Sequence, residues 1–318
     1  MYVVWVVLLL SLFAVGVGSQ ALGTVNLSER LSEQLRCAYV VRAGLQMTAL
    51  ALENDSTPSM DGLADAWADN PLMFQDHDVA GVSFQVTSNA NADGRPRYGL
   101  QDEERRINLN TAPEDVLKRL LEREAVMHED DAVKAAAAII DWRDDDTDEQ
   151  PDGAEQSYYQ SLRQAYDCKD GPFENVEELL LVRGISPTVY QRVEPWVTVY
   201  GSGLINLNTA GEPVLYALGL SAQGVSGLLS YRSGEDGTEM TSDDRALISV
   251  TNLESDLQPY VPTEDLARLS VLVREKLLSV RSEAFRFHVQ AQTPHAWSRM
   301  EASGVLDRAG RVVLWTER

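Results

Sequence analysis

The densest run of chemically capable side chains is Asp141-Trp142-Arg143-Asp144-Asp145-Asp146-Thr147-Asp148-Glu149-Gln150-Pro151-Asp152-Gly153-Ala154-Glu155. Carboxylates this close repel one another unless water or a cation neutralises them. Calcium takes roughly six to eight oxygens, often from a flexible loop with alternating Asp. The spacing Asp144, Asp146, Asp148 begins as an EF-hand loop begins. Its sixth position is Glu149 where an EF-hand needs Gly, so a regular EF-hand is not expected. A second candidate, Ser233 to Asp244, offers Glu235, Asp236, Asp243 and Asp244 among glycines that permit tight turns. For both loops the competing reading is a solvated acidic surface.

Other chemistry is thin. The histidines, His77, His128, His288 and His295, show no H-E-x-x-H or related spacing, and neither a G-x-S-x-G elbow nor a P-loop is present. An assembly protein is therefore expected over an enzyme. The formal net charge of -22 repels phosphate backbones, so no nucleic acid is expected as a partner. Cys37 and Cys168 lie far apart and form no ligand or redox motif. Two buried free thiols are expected, with a disulfide as the alternative.

The elements that position these loops begin with an apolar run, Tyr2 to Val17, which carries no charge. In length it falls between a signal-peptide core and a full membrane span. After it, Leu27, Leu31, Leu35, Ala38, Val41, Leu45 and Leu52 recur at helical spacing among Glu29, Arg30, Glu33, Arg36 and Arg42. The pattern predicts one helix to about Ala51, on the order of 75 Å long at 1.5 Å per residue. Its first part is apolar all round and its second part on one side. A cleaved signal peptide, as in a periplasmic hydrolase, has no need of such an extension.

Val82 to Thr87 alternates as a half-buried strand, Asn91 to Gly94 reads as a turn, and Arg97 to Leu100 would begin the partner strand. Residues 108–280 are mostly helical in pattern. A terminal antiparallel meander is expected from Ala284–Ala291, Ser303–Arg308 and Arg311–Trp315. Within the helical block Ile107-Asn108-Leu109-Asn110-Thr111-Ala112 recurs as Ile205-Asn206-Leu207-Asn208-Thr209-Ala210. Each copy precedes a helix, which Thr111 and Thr209, or the Asn before each, can cap; Pro113 and Pro213 would sit in the first turn. Ile139 to Arg143 parallels Leu228 to Arg232, and Phe173 to Leu179 weakly parallels Ile248 to Leu253. Two related helical units follow.

The INLNTA phrases and Val182-Arg183-Gly184-Ile185 resemble the helix-hairpin-helix superfamily, as in competence DNA receptors, where a Gly-rich hairpin offers N–H groups to phosphate. Here Arg183 stands among Asp and Glu, which favours a structural use of the motif. A membrane-tethered DNA receptor of that type is the alternative function.

Taken in order, the apolar start Val4-Trp5-Val6-Val7-Leu8-Leu9-Leu10-Ser11, the phrase Val41-Arg42-Ala43-Gly44-Leu45, both INLNTA phrases, the acidic loop ending Gly153-Ala154-Glu155, and the C-terminal strand pair resemble the K-type minor pseudopilins of type II secretion systems. In that family a short basic leader ending in Gly is cut ahead of the apolar run; the sequence here opens at the run itself. The resemblance implies an α+β, type IV pilin-like fold, a long N-terminal helix packed on a small antiparallel sheet. Into it is inserted a mainly helical domain with two helix-hairpin-helix or SAM-like units. The implied boundaries are 1–25 (transmembrane), 26–56 (amphipathic part of the same helix), 57–106 with 281–318 (pilin-like body), 107–204 and 205–280 (the helical units). It further implies a single pass through the bacterial inner membrane, a periplasmic globular part, and I-type and J-type minor pseudopilins as partners at the pseudopilus tip. It implies calcium binding as well, the match falling on Asp141, Asp144, Asp146 and Glu155.

Overall fold

Helix α1 runs unbroken from Tyr2 to Glu53, and no proline interrupts it. The structure is a computed structural model that describes residues 2–88, 96–294 and 298–318; the side chains of 18, 19 and 21–26 lie outside that description. From Tyr2 to Val17 the apolar side chains of α1 are exposed, and so are Leu27, Leu31 and Leu35. Lower down, Cys37, Val40, Val41, Thr48, Ala51 and Leu52 are buried. Only the C-terminal part of the expected apolar stripe is therefore covered by the chain's own fold. Among the described residues no helix is long and apolar enough to cross a membrane. The described run from Tyr2 to Val17 spans on the order of 24 Å, short of the ~30 Å of a bilayer core.

After α1 come α2 (Pro71–Phe74), β1 (His77–Val79), β2 (Val82–Thr87), β3 (Gln101–Asp102) and β4 (Ile107–Asn108). The helical block follows, with α3 (Glu114–Arg123), α4 (Glu129–Arg143), α5 (Gln156–Gln160), α6 (Pro187–Val193), β5 (Val197–Thr198), β6 (Ile205–Asn206), α7 (Glu212–Ala217), α8 (Ala222–Arg232), α9 (Leu253–Leu257), α10 (Thr263–Arg274) and β7 (Leu278–Ser279). The chain closes with β8 (Ala284–Gln292), β9 (Arg299–Asp307) and β10 (Val312–Glu317). The main sheet has the order β1-β2-β8-β9-β10, with β3 also paired to β8, and all its pairings are antiparallel. Strand β8 alternates as expected: Phe285, Phe287, Val289 and Ala291 point into the core, and Arg286, His288 and Gln290 away from it. Helix α1 crosses that inner face closely, since a Cβ at Gly44 would lie 2.6 Å from Val289 Cγ1.

Arg97 bridges to Ser88, but the strand that follows, β3, pairs with β8 and not with β2. The turn expected at Asn91 to Gly94 lies outside the described residues. The chain leaves the sheet after β3 and returns at β8, so the helical block is inserted into the sheet's sequence. Each domain has its own core, α1 with the sheet in one and the helical units in the other.

The two helical units repeat each other's hydrogen bonds. Asn108 Oδ1 accepts from Asn110 N–H at 2.8 Å, and Asn206 Oδ1 from Asn208 N–H at 2.9 Å. Asn110 exchanges two bonds with the backbone of Phe173, and Asn208 exchanges two with Leu247. Strand β4 pairs in parallel with β5, and β6 with β7. These contacts correct two expectations. The partner of Phe173 is Leu247, fully buried, and not the exposed Ile248; Asn175 and Ser249 then both cap 3₁₀ turns. The threonines do not cap the following helices: Thr111 donates to Gly203 O and Thr209 to Asp102 Oδ2, while Pro113 and Gly211 hold the cap positions of α3 and α7. Each helix starts later than expected, so each threonine lies two residues ahead of the cap position and its hydroxyl donates elsewhere.

A buried polar seam joins the two cores. Asp102 Oδ2 accepts from Ser282 Oγ at 2.6 Å, from Thr209, and from Asn206 Nδ2 at 3.2 Å. Arg308 pairs with Asp61 at 2.7 Å and Asp55 at 2.6 Å. Glu104, 1% exposed, accepts N–H bonds from Ser202, Glu283 and Ala284. Burial, and then the charge of Asp102, push its carboxyl up to about 8. Burial works on Glu103 as well, but the guanidinium groups of Arg106 and Arg286 outweigh it and hold Glu103 below the usual carboxylate range.

Candidate metal centre

Helix α4 delivers the acidic loop. Its last turn buries Asp141 and Trp142, and at Asp144 the backbone turns extended and the helix ends. Trp142 stacks edge-on against Tyr159 with ring centroids 5.2 Å apart, which seats the returning chain. Asp141 is fully buried and tied to the loop's own backbone: Oδ1 accepts from Gln150 N–H at 3.2 Å and Oδ2 from Ala154 N–H at 2.6 Å. Gly153 allows this approach, because a Cβ there would collide with the Asp141 carboxylate.

With the loop closed in this way, Asp144, Asp146 and Glu155 present ligand atoms that all lie within 4.8 Å of one another. Asp146 is exposed and Asp144 half-buried, while Glu155 is 3% exposed. Both Glu155 carboxylate oxygens and Asp144 Oδ1 are buried without a hydrogen-bond partner among the described residues. Burial, then the charges of Asp170 and Asp141, push Glu155 up to about 7. Burial and then Asp146 and Asp141 raise Asp144. Unfilled lone pairs on anions withdrawn from water are what a divalent cation would satisfy.

The other expected ligands are placed differently. Asp148 is exposed and outside the cluster; its N–H donates to Asp146 Oδ1 at 2.8 Å. In the second loop Asp243 accepts from Thr241 Oγ1 and from the N–H groups of Glu235 and Asp236, which together hold it down to about 2. Asp244 accepts from Met240 N–H at 2.6 Å, and Asp236 from Thr238 N–H at 2.7 Å. Glu235, Asp236, Asp243 and Asp244 form no three-ligand group among the described residues. Their carboxylates largely serve the turns of their own loop.

Cys168 and Asp170 escaped sequence reasoning, yet their ligand atoms lie within 4.8 Å of Glu155 and of each other. Nothing in Asp167-Cys168-Lys169-Asp170 has ligand spacing; only the return of the chain past Trp142 brings it to Glu155. Both cysteines are free and buried. Burial, reinforced by Asp170, pushes the Cys168 thiol up to about 12.

At the Gly184 hairpin the arginine faces inward. Arg183 donates to Gly153 O at 2.6 Å and lies 4.8 Å from the Tyr158 ring centroid. The DNA-receptor reading thus gains no support, since that guanidinium is bound within the fold.

Comparison with known proteins agrees with this architecture. The family profile "Type II secretion system (T2SS), protein K" matches residues 89–202. Type II secretion system protein K of Aeromonas hydrophila is 30% identical over 204 residues, 58% of this chain and 61% of that protein. Its namesake from Klebsiella pneumoniae is 26% identical over 185 residues, 55% of this chain and 54% of that one. The matched stretch thus spans little more than half the length of these relatives. A chain of the crystallised GspK-GspI-GspJ complex from the enterotoxigenic Escherichia coli type 2 secretion system superposes with a TM-score of 0.68, covering 93% of this chain and 99% of that one. At 18% identity this last likeness is one of fold. Profile and curated relatives carry one family name, and over the stretches they match the chain is similar to type II secretion system protein K.

Proposed function

We propose that the chain is a minor pseudopilin of pilin-like fold, which starts and caps the pseudopilus together with I-type and J-type subunits during protein export. The observation that carries this reading is α1 itself. It is one continuous helix, exposed and apolar from Tyr2 to Val17 and built into the sheet's core from Cys37 to Leu52. The sequence stays free of charge beyond that run, from Tyr2 to Ser28, and on this reading the rod serves as a single-pass inner-membrane tether at one end and a rigid mount for a periplasmic body at the other. The exposed row Leu27, Leu31 and Leu35 between the two ends suits packing beside other subunits' helices. The helical insertion adds bulk that suits a tip and obstructs burial within a shaft. The complex in which the similar fold was crystallised supports the choice of partners.

Deleting Asn108 to Val280 tests this reading, and the separate cores make such a deletant reasonable. Membrane fractionation should still find it in the inner membrane, while secretion should fail. Normal secretion by the deletant would count against the proposal.

Calcium belongs to the same reading, with Asp144, Asp146 and Glu155 as its protein ligands. The orphaned, buried oxygens of Glu155 and Asp144 support it. Asp141 would act by shaping the loop, through its bonds to Gln150 and Ala154. Calcium there would tie the end of α4 to the start of α5 and stiffen the insertion.

A further inference from the structure

We propose that Glu155, Cys168 and Asp170 form a second cation site, beside the calcium ligands, for a thiophilic divalent metal of the zinc class. It is independent of the calcium reading except through Glu155, whose two oxygens are available to neighbouring ions. The three ligand atoms lie within 4.8 Å of one another. Glu155 is 3% and Cys168 7% exposed. Both Glu155 oxygens and Asp170 Oδ1 are buried without a hydrogen-bond partner among the described residues. The sulfur is not in a disulfide. The backbone that carries it is held at the start of α5, since Cys168 N–H donates to Gln156 Oε1 at 2.7 Å.

The lysine next to the thiol does not neutralise these groups. Lys169 Nζ is bound to Glu178 at 2.7 Å and reaches Glu174 at 4.0 Å. Two carboxylates and a thiol thus share a water-poor spot while the lysine between them points elsewhere. Sulfur decides which metal suits the place. Calcium is a hard ion that takes oxygen ligands, whereas zinc takes thiolate and carboxylate together, commonly with three protein ligands and a water. Binding forms a metal–sulfur bond and releases the thiol proton to solvent, with no change of oxidation state.

The test uses the full chain in detergent, stripped of metal, with cadmium as the spectroscopic probe and zinc as competitor. Cadmium should produce the ultraviolet thiolate-to-metal charge-transfer band in the wild type and in Cys37→Ser. Zinc should abolish the band and excess calcium should leave it. Cys168→Ser should lose the band. Asp170→Asn, which keeps the thiol, should need more cadmium to reach it. Absence of the band in the wild type, or its survival in Cys168→Ser, overturns the proposal. Asp146→Asn separates the two sites: it should keep the cadmium band while losing calcium-dependent stabilisation. A wild type that shows the band without any calcium response would refute the calcium reading alone.

Discussion

Arg143 and Arg232 make the same contact in the two helical units. Arg143 donates to Leu109 O and, at 2.8 Å, to Ala112 O. Arg232 donates to Leu207 O at 3.3 Å and Ala210 O at 2.6 Å. Each arginine ends a helix and clamps the INLNTA loop of its own unit, so the repeated phrase and the repeated arginine are one device. Arg232 carries an added bond to Glu239. Replacing either by Met strands two carbonyls, at a cost of about 1–3 kcal/mol for a buried unsatisfied group. Arg232→Met should cost more than Arg143→Met because it also releases Glu239. Urea unfolding measures this; a loss no larger than that of Arg163→Met, on the surface, would show that the clamps do not hold the loops.

Calcium should raise the melting temperature of the metal-free protein. With free cation 100-fold above its dissociation constant, the gain is about 2.7 kcal/mol. Glu155→Gln should abolish the response, and Asp145→Asn, outside the ligand cluster, should keep it. Thermal melts with and without calcium decide between a metal centre and a solvated acidic loop.

Glu104 makes stability fall as pH rises. Its carboxyl is pushed up to about 8 in the folded protein, by burial and then by Asp102. An unfolded Glu titrates near ~4.3. The stabilisation from its protonated form is therefore fully present below ~4.3 and is lost as pH rises through the folded value. Between the two, the slope for one proton approaches about 1.4 kcal/mol per pH unit. Denaturant unfolding in metal-free buffer at several pH values should show the decline, and Glu104→Gln should flatten it. An equally steep decline in the variant would place the titration elsewhere.

The seat of α1 on the sheet depends on Gly44. A Cβ there would meet Val289 Cγ1 at 2.6 Å and Phe84 at 3.4 Å. Gly44→Leu should cost about 1–3 kcal/mol by overpacking, despite a helix-propensity gain of up to ~1 kcal/mol. Gly16→Leu, where a Cβ meets nothing within 4 Å, serves as the comparison. Circular dichroism melts of the two variants should diverge; equal melts would mean that α1 is not seated at Gly44.

Periodicity and repetition made much of this fold legible. The alternation at 284–291, the unbroken helical stripe after Val17 and the doubled INLNTA phrase each describe local structure, because side-chain direction follows from the geometry of the element that bears it. The same reasoning failed where a side chain had two possible partners. Thr111 and Thr209 are of a type that caps helices, yet each lies two residues ahead of the cap and donates its hydroxyl to a residue far away in sequence. Leu247 and Ile248 are adjacent apolar residues; only the bonds from Asn208 identify which is inside.

The acidic loop divides in the same way. Its density of carboxylates is a property of the sequence, and so is the expectation that a cation would suit it. Which carboxylates face one another is not. Asp141 is turned into a backbone clamp and Asp148 left in solvent, while Cys168 and Asp170 are carried in from a later stretch. Composition and short-range sterics determine which elements form and how much charge they bear. Convergence of groups distant along the chain depends on the path imposed by packing the whole core, and the tertiary structure alone decided it.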